Sequence, residues 1–424
     1  MIMAIKEFFD IPKQYKTWSM GLMGAGILAI IIGYFVYGTG GHGTPEEIIH
    51  HKTRFWASLL HNSVFFLLVV NASMFFICAT TLAWGGWQMS FRRVPEAISV
   101  AVIPLGIIAL LVLFAIAFGG TEMTHIYHWT DPVAVENDAL LNGKKGFLNL
   151  KFFAVWTVLA IGLWMVLGYK MRQLSRSLDE NPLPDTESRG KYIWKNTVWA
   201  ALFIVWFSLT VMSTVPWLWL MSIDAHWFST MYSWYSFASS WVAGIALIAL
   251  FVMYLKNKGY LEYTNEEHLH DIGKFMFAFS VFWTYLWFSQ YMLIWYANIS
   301  EETVYFKSRV SNDTKVGPYS GIFWFQFMIN FLAPLLILMR RGSKRNYTTM
   351  TVMAVVIIFG HWLDFYQMIF ASVLKEHVEL GWFDFGVAAG FVGLILFSTG
   401  RVLNKYPMIA RNHPFIKESI IHHT

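Results

Sequence analysis

Charge is scarce in this sequence. Asp, Glu, Lys and Arg make up 13% of 424 residues, about half the share typical of soluble domains. No stretch is both long and polar enough to fold as a separate soluble domain. Cysteine is nearly absent. Cys78 stands alone inside an apolar run, which rules out a disulfide, a C-x-x-C-H haem attachment and a four-cysteine cluster within this chain. What remains is apolar: 56% hydrophobic residues, with 21 Trp and 37 Phe. That composition suits a chain with many lipid-facing and interfacial surfaces. The formal charge of +5 does not call for nucleic acid, because basic residues also orient membrane proteins.

Apolar windows of about twenty residues predict ten spans and an all-α membrane protein. They cover 18–38, 54–83, 98–119, 148–170, 198–220, 228–255, 273–296, 319–339, 348–374 and 382–403. Residues 1–17 form a short leading segment. Lys6, Lys13 and Lys16 before a long apolar run suggest an uncleaved first span rather than a signal peptide. Of the 31 Lys and Arg residues, 22 fall on the side of the termini and 9 on the other. The excess predicts a multi-pass protein with both termini in the cytoplasm.

A weak internal duplication groups 54–220 and 228–374 as two four-helix bundles, flanked by the first span and by 382–403. In that register the third and seventh spans both begin with an acid, Glu96 and Asp271. Repeats of this kind recur in membrane proteins. The tail 404–424, ending Ile420-Ile421-His422-His423-Thr424, reads as solvated.

Ionisable side chains sit far from either end of the ninth span, in Gly360-His361-Trp362-Leu363-Asp364. A charge at that depth costs roughly 2.5–3.5 kcal/mol on insertion scales. His361 and Asp364, three apart, share a helical face. A carboxylate beside an imidazole can pass a proton between them; it can equally be a satisfied polar contact between helices. A second polar track follows the seventh span: His268, His270, Asp271 and Lys274 at its cytoplasmic entrance, then Ser280, Thr284, Ser289, Gln290 and Tyr291. Ser280, Thr284 and Tyr291 recur at helical spacing. They can order water for proton transfer or bond helices together. In the second span, His61 and Asn62 lie near Ser58 at a depth that suits a quinone head group or a structural histidine. At the outer turn Asp224 and His226 can exchange protons or cap the next helix. His61 and His361, the two deep histidines, sit at different depths, which argues against a bis-histidine haem. No catalytic or metal-ligating set stands out.

The stretch His270–Phe279, continuing through Phe282–Tyr291, Ile294–Asn298 and Glu301-Glu302-Thr303, together with Ser222–Ser229, resembles the polysulfide-reductase-type (NrfD-like) membrane subunits of bacterial alternative complex III. The smaller, F-type subunit is the nearer likeness, over nearly the whole chain. The resemblance implies ten helices with two four-helix bundles in a bacterial inner membrane. It also implies a place in a quinol:electron-acceptor oxidoreductase that oxidises menaquinol or ubiquinol. The haems c and iron–sulfur clusters would then belong to partners: an iron–sulfur subunit, multihaem and monohaem cytochrome c subunits, a larger NrfD-like subunit and a terminal oxidase. The chain itself would hold no cofactor covalently and no complete active site. His61 and Asn62 are the residues that fit a quinol role, loosely. Asp271, Lys274, His361 and Asp364 fit a proton route better. A secondary transporter is the competing class, since Pro104 and Pro216 can break helices; a purely structural anchor is a third.

Overall fold

The computed structural model describes residues 6–40, 44–123, 125–312 and 315–423. Ten long helices run through it: α1 (Lys13–Gly38), α2 (Pro45–Leu82), α3 (Arg93–Gly120), α4 (Leu150–Glu180), α5 (Thr186–Asp224), α6 (Thr230–Asn257), α7 (Glu266–Ala297), α8 (Ser320–Leu338), α9 (Tyr347–Val373) and α10 (Trp382–Lys405). Among the described residues, nine of these helices are long and apolar enough to cross a bilayer. The remaining one, α7, has 32 residues and is interleaved with Trp, Tyr and polar side chains. The predicted spans therefore each fall on a helix, and the chain is an all-α, multi-pass membrane-type protein.

Local chemistry sets the helix ends. Before α2, the Thr44 side chain accepts from the Glu47 N–H while the Glu47 carboxylate accepts from the Thr44 N–H, with Pro45 at the first helical position. Asn265 accepts from the N–H groups of Glu267 and His268 at the start of α7, and Asn346 caps α9 by accepting from the Thr349 N–H. Asn298 closes α7 in the left-handed conformation.

Helices α2 to α5 form one bundle, each packing on the next and α5 returning to α2. Helices α6 to α9 repeat the arrangement, with α9 returning to α6. The bundles meet through α2 and α6, the two most buried spans. Helices α1 and α10 lie against each other outside both bundles and lean on α2. A Cβ on Gly26 would strike the backbone of Gly390, so small residues let this pair approach closely.

The first and last described segments lie together at one end of the molecule. The Phe9 N–H donates to the Leu403 carbonyl (3.0 Å), and the Met408 N–H to the Glu7 carbonyl (2.8 Å). The tail is solvated only in part: Ile421 is 72% exposed, while Ser419 and His422 pack back on the protein. Ser419 accepts from the Ser90 N–H (3.0 Å) and donates to the Trp87 carbonyl (2.6 Å), and His422 Nε2 lies 2.6 Å from Asp271. Phe415 rests against the Trp84 and His413 rings, an anchoring that two terminal histidines alone do not advertise.

Candidate functional site

Helix α9 carries the deepest ionisable groups. His361 and Asp364 are both wholly buried. One turn of helix brings them near each other, yet His361 Nδ1 stands 3.9 Å from Asp364 Oδ2, beyond hydrogen-bond range. Each is held instead by a neighbouring helix. The Tyr235 hydroxyl of α6 donates to Asp364 Oδ1, and the Trp283 indole of α7 donates to Oδ2 at 3.0 Å. Gln367 on α9 adds a longer bond to Oδ1 at 3.4 Å. His361 Nδ1 meets the Ser239 hydroxyl of α6 at 3.0 Å, and the Trp283 ring stands edge-on to the imidazole.

The fourth helix of the bundle completes the surround. A π-helical turn, Met328–Leu332, precedes Pro334 in α8. Such turns re-aim one residue out of helical register, and here Asn330 points inward. A Cβ on Gly360 would collide with the Asn330 amide oxygen, so glycine at 360 is what lets α8 and α9 close. Asn330 donates weakly to Gln326 (3.4 Å), and both are fully buried. Among the described residues, several buried polar atoms of this bundle have no protein partner: His361 Nε2, Gln367 Oε1, Asn330 Oδ1, Gln326 Nε2, Ser280 Oγ and Gln290 Nε2. Buried polar atoms of this kind normally bind ordered water.

No described Lys or Arg pairs with Asp364. The nearest buried cation along α9 is Arg309, from the connection after α7. Its guanidinium bonds the Gln367 carbonyl (3.0 Å) and the Tyr305 carbonyl (2.8 Å) and lies 3.6 Å over the Tyr305 ring. Asp364 is thus solvated by neutral donors, with a guanidinium one turn further along the helix.

Asp271 and Lys274 do sit together at the other end of α7, with Lys274 Nζ 2.5 Å from the carboxylate. His270 Nδ1 is 4.0 Å away. His268 does not join them; it bonds Asn265 and Ser419. From Asp271 to Trp283 the helix rises about 18 Å. The inward stripe of the helix runs through Met276, Ser280 and Trp283 over that distance and on to Trp287 and Gln290. Ser280 lies on it. Thr284 is only half-buried and bonds the Ser280 carbonyl of its own helix (2.8 Å). Tyr291 packs its ring on Trp287 and Phe306. The spacing rule selected Thr284 and Tyr291, which flank the inward face; Trp283 and Gln290 occupy it.

His61 and Asn62 are also fully buried, and both grip one residue of α9. His61 Nε2 donates to the Trp362 carbonyl (2.9 Å), and Asn62 accepts from the Trp362 indole (2.9 Å) while donating to the Ser58 carbonyl (3.0 Å). They clamp the two bundles together. At the turn before α6, His226 pairs with Asp138 at 2.5 Å rather than with Asp224. The N–H of Leu141 and then His226 hold the Asp138 carboxyl below the usual range. Asp224 does not cap α6, whose N-cap is Ser229.

The first bundle has a matching interior without a carboxylate. Trp164 of α4 donates to the Thr210 hydroxyl of α5 (2.9 Å), and Trp219 donates to Thr157 (3.0 Å). Its acid, Glu96, sits at the end nearest the termini between Arg92 (3.1 Å) and Arg93 (3.3 Å). A second buried ion pair, Arg54 with Asp384 (2.6 Å), ties α2 to α10 at the opposite end, extended by Glu379 and His50. Sequence reading passed over Asp384, Tyr235, Trp283, Gln367 and Asp138. Only an acid three residues into α10 offered a signal.

Compared with models of known families and with curated proteins, the sequence matches none.

Proposed function

We propose that this chain is a cofactor-free membrane subunit of a quinol-oxidising respiratory assembly of the alternative complex III type, and that its second bundle moves protons. One observation carries the reading. Asp364 is a fully buried carboxylate held by a phenol, an indole and an amide beside an unpaired imidazole edge. Intramembrane acids of this kind mark proton routes by default. Asp364 accepts a proton, Tyr235 and Trp283 keep its oxygens oriented in both states, and His361 with Ser239 offers the next acceptor. Asp271 with Lys274 forms the entrance on the side of the termini, taken as cytoplasmic from the basic-residue excess. Asp138 and His226 serve as the exchange pair on the far side.

The redox centres, haems c and iron–sulfur clusters, would reside in partner subunits of a bacterial inner-membrane complex. Because His61 and Asn62 are committed to Trp362, the quinol would contact a partner rather than this chain. The test is the Asp364→Asn variant of the assembly, reconstituted in vesicles and supplied with quinol. Quinol oxidation with strongly reduced proton movement is expected; full turnover with full proton release overturns the relay. A purely structural anchor is the second reading, favoured by the clamp on Trp362 and by Thr284 bonding its own helix. A transporter would purify alone, without haem-bearing partners.

A further inference from the structure

At the end of the molecule away from the termini, a pocket of about 430 Å³ opens at the seam between α5 and α6. Its walls are apolar and aromatic, including Phe147, Met212, Trp217 and Trp234, and these two tryptophans are a little under half exposed. Trp at this level is the usual mark of the membrane–water interface.

Three polar features converge on this apolar space. Lys144 lines it, bonds the Ala225 carbonyl (2.6 Å) and, among the described residues, forms no ion pair. Burial lowers the affinity of its ammonium for the proton, and Asp224 and Asp138 only partly oppose this from a distance. The first turn of α6, a 28-residue helix, also borders the pocket, and its N-cap Ser229 makes no capping bond. The leading N–H groups of a helix lack partners within it and carry partial positive charge. Ser233, one turn on, lines the same space; it is 4% exposed and its hydroxyl has no protein partner. A cation, a bare helix N-terminus and an unused hydroxyl are complementary to a phosphate ester. The apolar walls suit what a phospholipid attaches to it, which inorganic phosphate lacks.

We propose that this pocket binds the phosphate of an anionic phospholipid from the adjacent leaflet, its acyl chains leaving along Trp217 and Trp234. The lipid would seal the seam between the two bundles. This inference does not depend on the proton route or on quinol.

The test is native mass spectrometry of the protein purified with whatever subunits accompany it, delipidated and then titrated. The probes are dioleoylphosphatidylglycerol, dioleoylglycerol and inorganic phosphate. Retention of one phosphatidylglycerol is expected, with retention about tenfold weaker in Lys144→Gln and about threefold weaker in Ser233→Ala. Lys145→Gln, outside the pocket, should behave like the parent. Equal retention of dioleoylglycerol overturns phosphate recognition, and equal binding of inorganic phosphate overturns a lipid occupant. Unchanged retention in Lys144→Gln, or a quinone found in place of phospholipid, also overturns it. If Lys144→Gln fails to assemble, Ser233→Ala decides in the same two directions.

Discussion

The two bundles present the same donor to different acceptors. In the first, the Trp164 indole reaches across to the last helix of its bundle and finds the Thr210 hydroxyl. In the second, Trp283 also reaches the last helix of its bundle and finds the Asp364 carboxylate. The first contact stiffens a membrane interior with a neutral bond. The second places a titratable group in the same kind of frame. Buried charge in the first bundle lies near its ends: Glu96 sits between Arg92 and Arg93 at one, and Arg54 pairs with Asp384 at the other. The proposed proton route therefore rests on the side chain opposite an indole, a hydroxyl in one bundle and a carboxylate in the other.

That contrast can be broken by substitution. Asp364→Asn keeps the shape and the acceptor but removes the proton site. Proton movement per quinol should fall by about a hundredfold, the scale of a lost acid–base group, read with a pH-sensitive dye in vesicles. Glu96→Gln leaves buried Arg92 without a carboxylate partner among the described residues, while Arg93 keeps Asp179. It should lower stability by about 3–5 kcal/mol in thermal unfolding, while protein that survives moves protons normally. Trp283→Phe leaves one Asp364 oxygen short of a donor and should cost about 1.5–3 kcal/mol. Thr210→Val removes the parallel bond in the first bundle and should cost about 1 kcal/mol without touching proton movement. Equal proton defects in these last two variants would erase the contrast.

The smallest expected effect lies in the tail. Burial, with Arg92 and Arg93 nearby, holds His413 well below its ordinary value of 6.5. The folded protein therefore keeps it neutral where the unfolded chain would protonate it. Stability should fall as pH drops through about 6.5, and His413→Phe should flatten that acid limb in an unfolding series.

Much of this was legible in the sequence. Twenty-residue apolar runs have few alternatives in a membrane, so the ten helices could be read directly. His361 and Asp364 stood out because lipid penalises unpaired charge. Their partners did not: Tyr235, Trp283 and Ser239 arrive from other helices, and one sequence gives no pairing between helices. Periodicity misplaced the inner face of α7 by about one residue, since Ser280 belongs to both stripes while Thr284 and Tyr291 belong only to the predicted one. The tail deceived for a different reason. Its polar ends bond to Asp271 and Ser90, and composition reports polarity without saying what it faces.

The central claim is that Asp364 gains and loses a proton during turnover. Infrared difference spectroscopy of the reconstituted assembly, triggered by quinol, tests it most directly. The account predicts a protonated-carboxyl band that appears in the parent and vanishes in Asp364→Asn. Identical difference spectra, with proton release intact in the variant, would contradict it.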